Sequence, residues 1–297
     1  MFKEFTITSK DEQVLKGNSW IIENPIGMVV IAHGMAEHSL RYEPFALFLN
    51  SNGYNVYMVD HIGHGKNQYL GQGVWPRHGF DDCVDNLNVL IDSLKEYCLP
   101  TYLMGHSMGS FISQAYMERY NPSHVKKVVL IGSSGPQAIY KLGSIVTKLH
   151  AIGKDGTKRS PFLNRITFSS YNKKIDNPKT EFDWVCANEK ELEKYIKDDD
   201  CGFVPSINFF VSFTENLAKL HKKKNLLKIN KERPILLVAG KEDPVGQYAK
   251  GVEKLNKIYK KLGIDSDMII YPNMRHEILN EVNNKDVYMD ILNFIKK

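Results

Sequence analysis

The chain has 297 residues, 42% of them hydrophobic and 25% charged, with a formal net charge of +5. Such a composition excludes disordered, fibrous and disulfide-scaffold proteins and leaves one large soluble α/β domain or two small ones. Cys83, Cys98, Cys186 and Cys201 form no C-x-x-C pair and show no metal-ligand spacing, so reduced thiols are expected.

The N-terminal residues Met1-Phe2-Lys3-Glu4-Phe5 lack the basic-then-apolar order of a signal peptide, and the apolar run Ile26 to Ala32 is too short to cross a bilayer. A cytoplasmic protein is the expectation. Phe2 to Thr8 and Val14 to Ile22 alternate as two antiparallel strands around a polar turn. Gly27 to Ala32 and Tyr54 to Val59 are short β-branched or aromatic runs, as in strands covered on both faces. Between them Tyr42 to Leu49 has helical period, and Asp81 to Cys98 forms an amphipathic helix with an acidic first turn. Strand Thr101 to Met104, helix Met108 to Tyr120 and strand Val125 to Ile131 follow.

Regular alternation then stops until strand Pro234 to Ala239, helix Tyr248 to Leu262, strand Asp267 to Tyr271 and helix Lys285 to Ile295. The pattern predicts a mostly parallel, doubly wound sheet built from residues 1–134 and 232–297, with a helical cap inserted at 135–231. Lys141 to Arg233 carries 19 basic and 12 acidic residues, so the positive charge is concentrated there. Solvated lysines on exposed helices account for it, with an anionic surface or head group as the alternative. No basic stripe alternates with stacking aromatics, which argues against a nucleic-acid partner.

Gly105-His106-Ser107-Met108-Gly109 sits where strand Thr101 to Met104 meets the following helix. A serine flanked two residues away by glycines at such a junction is a nucleophile elbow, its hydroxyl held above the carboxyl edge of the sheet. A serine hydroxyl needs a base to take its proton, and the base needs an acid to orient it. In a parallel sheet all three must lie at the carboxyl ends of strands. Asp243 and His276 follow the last two strands, and the order Ser107, Asp243, His276 is that of an α/β-hydrolase. Glu242 is the alternative acid.

The oxyanion of acyl transfer requires two backbone N–H donors. The Met108 amide, next to the nucleophile, is one candidate. The Met35 amide in His33-Gly34-Met35-Ala36-Glu37-His38-Ser39 is the other, because Gly34 lets the backbone approach. Asp60-His61-Ile62-Gly63-His64-Gly65 has no further ligand at a metal-binding spacing, so it reads as a structural loop bracing that segment.

These blocks, with Arg41-Tyr42, Gly240-Lys241-Glu242-Asp243-Pro244 and Arg275-His276-Glu277, resemble the serine α/β-hydrolases of the monoglyceride lipase and lysophospholipase group. The resemblance implies the triad Ser107, Asp243 and His276, oxyanion amides at Met35 and Met108, no cofactor or metal, and monoacylglycerol or lysophospholipid substrates. Asn67 and Ser110 depart from the group's usual serine and glycine without touching a catalytic atom.

In the cap, Phe203, Ile207 and Phe210 begin one apolar stripe, and Ile139, Leu142, Ile145, Val146, Leu149 and Ile152 form a second. Either the stripes line a trough for an acyl chain, with Phe203, Ile207 and Phe210 as substrate-binding residues, or they pack the cap onto the core. With each buried methylene contributing ~0.8 kcal/mol, a trough favours medium or long acyl chains and transient contact with lipid surfaces. Two rivals remain: an aminopeptidase of the proline-iminopeptidase type, using cap carboxylates such as Glu189, Glu191 and Glu193, and a non-catalytic binding protein on the same fold.

Overall fold

The computed structural model describes all 297 residues. Eight strands form one sheet in the order β1-β2-β4-β3-β5-β6-β7-β8. β1 (Phe2–Thr8) and β2 (Val14–Trp20) pair antiparallel, and β2 also runs antiparallel to β4 (Tyr54–Val59). β3 (Gly27–Ala32), β5 (Thr101–His106), β6 (Val125–Ile131), β7 (Ile235–Gly240) and β8 (Ser266–Tyr271) extend the sheet in parallel.

Every residue of β3, β4, β5 and β7 is buried, as short apolar runs must be when helices cover both faces. Alternate side chains serve opposite layers. Met28, Val30 and Ala32 of β3 join a core with α2 (Gly79–Ser93), α3 (Met108–Arg119) and α9 (Lys250–Lys261). Val29 and Ile31 face α1 (Glu43–Ser51) and α10 (Asn284–Lys296). Each of the larger side chains, Met28, Val29, Val30 and Ile31, contributes roughly 1.5–3 kcal/mol of burial free energy, and a one-residue register slip would reverse both layers.

Between β6 and β7 the chain forms no strand but five helices: α4 (Ala138–Ala151), α5 (Pro161–Phe168), α6 (Glu189–Lys197), α7 (Ile207–Leu217) and α8 (Lys223–Leu226). Phe209 of α7 seats on Trp75 with ring centroids 4.1 Å apart, and the Phe80 N–H donates to Ser212 Oγ at 3.1 Å. α4 packs onto α7 with its small polar side: Ser144 and Thr147 are buried, and Thr147 Oγ1 lies 2.8 Å from Thr214 Oγ1. Its apolar stripe consequently points to solvent. No helix is long and apolar enough to cross a membrane.

Two helices differ from the sequence reading at their ends. α9 begins at Lys250, because Gln247, Tyr248 and Ala249 all take positive φ (53°, 56° and 74°) and cannot extend it. α2 ends at Ser93 and tightens into a 3₁₀ turn, Leu94–Tyr97, closed by Cys98 at φ 53°.

Candidate active site

Ser107 occupies the turn between β5 and α3 with φ 52° and ψ −119°, a conformation that non-glycine residues adopt only under constraint. Its N–H donates to Ile131 O of β6 at 2.9 Å, and its carbonyl receives the Ser110 hydroxyl at 2.6 Å. A side chain at Gly105 would strike the Gly109 and Ser113 positions, and one at Gly109 would lie 2.6 Å from His33 O. The two glycines let the strand, the helix and the loop after β3 meet at van der Waals distance. That loop reaches Ser107 itself, since a Cβ placed on Gly34 would lie 3.2 Å from Ser107 Cβ.

The imidazole of His276, carried by the loop after β8, rests on Gly132, the residue following Ile131. A Cβ there would sit 3.1 Å from its Cε1 and 3.2 Å from its Nδ1. The ring is enclosed by His106 at a centroid distance of 5.0 Å and by Trp184 at 5.2 Å. His276 Nδ1 meets Asp243 Oδ1 at 3.0 Å, and that oxygen also accepts the Val245 N–H at 2.8 Å. Asp243 is completely buried after β7. Glu242, by contrast, is half exposed and lies 4.0 Å from Arg275 Nε. Ser107 Oγ makes no hydrogen bond to another protein group.

Behind the loop after β3 lies a buried charge cluster. Glu37 Oε1 accepts the Gly34 N–H at 2.6 Å, the Tyr42 hydroxyl at 2.8 Å and His106 Nδ1 at 3.1 Å. Glu37 Oε2 pairs with Arg41 Nη1 at 2.7 Å. Burial pushes the Glu37 carboxyl upward, but His106 and Arg41 outweigh it and hold it well below the usual carboxylate range. Burial pulls His106 down, and Glu37 reverses this to a net rise. Burial drives His33 to about 3 and His64 to about 4, so both rings are neutral at physiological pH.

The Asp60–Gly65 block braces the same loop. Asp60 Oδ1 accepts the Ser39 N–H at 2.8 Å and Oδ2 the Lys66 N–H at 3.1 Å, while the His61 N–H donates to His33 Nε2 at 2.9 Å. One group has ligand-type atoms within 4.8 Å of one another: His38, Asp198 and Cys201. There His38 Nε2 and Asp198 Oδ2 already bond to each other at 2.9 Å.

The insertion is stitched to the loop bearing His276. Arg275 Nη1 donates to Asp183 O at 2.7 Å, the Glu277 N–H to Val185 O at 2.8 Å, and the Ala187 N–H to Glu281 Oε1 at 3.0 Å. Of the expected substrate residues, Phe203, Ile207 and Phe210 are all buried. Phe210 lies inside the larger core, and Phe203 packs against His64 at 5.2 Å, so neither lines an open trough. The second stripe is a further correction, because Ile139, Leu142, Ile145 and Leu149 of α4 and Ile152 just after it are exposed, with Val146 half-buried.

Residues 23–283 match the family described as serine aminopeptidase, S33. The chain belongs to that family. It is 28% identical over 282 residues to the monoacylglycerol lipase of Mycolicibacterium smegmatis, covering 92% of this chain and 89% of that protein. It is 24% identical over 277 residues to phospholipase YtpA of Bacillus subtilis, covering 91% and 95%. The crystal structure of a thermostable carboxyl esterase from Bacillus coagulans superposes with a TM-score of 0.89 at 27% identity, over 99% of this chain and 98% of that one. These findings bear out the motif resemblance and the α/β-hydrolase fold. Although the S33 family is described by aminopeptidase chemistry, these relatives are named for ester and lipid hydrolysis.

Sequence reasoning about this S33 chain missed Trp184, Glu37, Arg41 and Glu277 as neighbours of the site. The Arg41-Tyr42 and Arg275-His276-Glu277 motifs were the available signal, but nothing in one sequence joins them.

Proposed function

We propose that this protein is a serine hydrolase that cleaves carboxylic esters of medium or long acyl chains, of monoacylglycerol or lysophospholipid type. The observation that carries the reading is the buried His276–Asp243 bond of 3.0 Å beside the strained Ser107 turn. Ser107 Oγ attacks the acyl carbonyl while His276 Nε2 takes its proton. Asp243 holds the Nδ1–H tautomer and stabilises the imidazolium that forms. The Met35 and Met108 N–H groups, which donate to no backbone or side-chain acceptor, receive the tetrahedral oxyanion. His276 then protonates the leaving alcohol, and water repeats the sequence on the acyl-enzyme.

Residues 135–231 form the cap in this reading. Its outer surface presents Ile139, Leu142, Ile145 and Leu149 of α4, and Ile152 just after it, beside Phe162 and Ile166 of α5, all exposed. Lys141, Lys154, Lys158 and Arg165 are exposed around them. An apolar stripe ringed by cations suits contact with a lipid surface from which an acyl ester is drawn.

The aminopeptidase alternative requires carboxylates free to hold a substrate amine. Glu189, Glu191 and Glu193 instead pair with Lys179, Lys194 and Lys197 at 2.6–2.7 Å on the outside of α6. The deciding experiment is turnover of a p-nitrophenyl acyl ester series against a prolyl-naphthylamide. Preference for the longer esters is expected, and faster turnover of the amide overturns the ester reading. A folded protein inert to both supports the non-catalytic alternative.

A further inference from the structure

We propose that His33 is a positioning residue, whose ring tethers the Gly34 carbonyl and thereby aims the Met35 N–H at the oxyanion. The inference rests on the ester-hydrolase reading above and adds a residue to its machinery. His33 is fully buried and is held by two backbone groups: the His61 N–H lies 2.9 Å from Nε2, and Gly34 O lies 2.8 Å from Nδ1. A backbone N–H can only donate, so Nε2 is the unprotonated nitrogen. In a neutral ring the proton then sits on Nδ1, where it is donated to the Gly34 carbonyl. The ring is neutral because burial and the neighbouring His64 depress its pKa to about 3.

The Gly34 carbonyl and the Met35 N–H belong to one planar trans peptide, in which C=O and N–H point in opposite directions. Fixing the first therefore fixes the second. Glycine is the residue least able to hold such a peptide by itself, since its backbone moves through conformations closed to other residues. Gly34 cannot be exchanged for a stiffer residue, because a Cβ would collide with Glu37 Oε1 and crowd Ser107 Cβ at 3.2 Å. The structure compensates from both sides. Glu37 Oε1 holds the Gly34 N–H at 2.6 Å, and His33 holds the carbonyl. His33 is positioned in turn by the His61 backbone, with the His61 ring against it at 4.2 Å.

Two substitutions separate the ring's two bonds. In His33→Asn the side-chain amide reaches the place of Nδ1 and keeps the donor to Gly34 O. In His33→Gln it reaches the place of Nε2, keeps an acceptor for the His61 N–H and loses the tether. His33→Gln is expected to lower kcat about 10–100-fold with KM little changed, less than the ~100–1,000-fold of deleting an oxyanion donor outright. Its affinity for an alkyl boronic acid, which mimics the tetrahedral adduct, should fall in step. His33→Asn should retain most of kcat. Equal losses in the two variants, or wild-type kcat in His33→Gln, overturn the proposal.

Should the glutamine variant not fold, the wild-type protein decides. ¹⁵N-histidine spectra should show His33 as the Nδ1–H tautomer, and an Nε2–H tautomer refutes the tether. A fluorophosphonate that fails to label Ser107 overturns the hydrolase reading and leaves the tautomer measurement intact, so the two failures are distinguishable.

Discussion

Arg41 donates to both carboxylate oxygens of Glu277 at 2.6 Å, joining the loop after β3 to the residue that follows His276. The guanidinium also stacks over Tyr195 of α6 at 4.8 Å. One largely buried cation thus touches the loop after β3, the loop bearing His276 and the insertion. Glu277→Gln should lower unfolding stability by about 3 kcal/mol, because half of a buried ion pair is left uncompensated. It should also reduce kcat, as the two loops lose their common anchor. Urea unfolding checks this, and a loss under ~0.5 kcal/mol, the range of an ordinary surface change, contradicts it.

Glycine substitutions divide sharply by position. Alanine is favoured over glycine by ~1 kcal/mol in a helix interior, so propensity alone predicts that Gly109→Ala stabilises α3. The structure predicts the reverse, because the added Cβ collides with the Ala32 carbonyl. Gly109→Ala should fail to accumulate as folded protein. Gly143→Ala in α4, where the nearest atom is Thr214 Cγ2 at 3.7 Å, should raise stability by ~0.5–1 kcal/mol. Expression yield and thermal melts of the pair test the contrast.

The exposed α4 stripe can be altered without disturbing a core. Leu142→Ser with Leu149→Ser should leave thermal stability and hydrolysis of a soluble butyrate ester unchanged. Turnover of monoacylglycerol presented in anionic vesicles should fall severalfold, along with co-sedimentation. Equal loss on both substrates would mean that the stripe serves the catalytic site itself.

Glu118 lies buried on α3, accepting the His221 N–H at 3.0 Å, and burial raises its carboxyl pKa to about 7. The sign follows from linkage. The folded state holds the proton more tightly than the unfolded chain, so stability is complete below the unfolded value near 4.5 and declines as pH rises through 7. Glu118→Gln keeps the acceptor and removes the titration. Its melting temperature relative to wild type should therefore rise between pH 5 and pH 8. A difference that is constant over that window contradicts the account.

The strands were legible because burial on both faces demands continuous apolar runs, as in Ile235 to Ala239. The Ser107 elbow was legible because its glycines are a steric requirement, and Asp243 and His276 because the chemistry restricts them to strand ends. The outward stripe of α4 was not, since periodicity reveals an amphipathic helix but not which face packs. Gly143, Ser144 and Thr147 supply the packing face, and their small size lets α7 come close. Phe203, Ile207 and Phe210 showed the right spacing for a trough, yet nothing in that spacing separates a lining side chain from a filling one. Arg41 and Glu277 stand 236 positions apart, and one sequence holds no signal joining them.

The central claim is that Ser107 is activated by His276 and Asp243 as a nucleophile, and covalent labelling addresses it most directly. Intact-mass and peptide mapping after fluorophosphonate treatment should find one adduct, on the peptide containing Ser107, absent in Ser107→Ala and slowed by orders of magnitude in His276→Ala. A folded wild-type protein that gains no adduct, or gains it on another residue, contradicts the account.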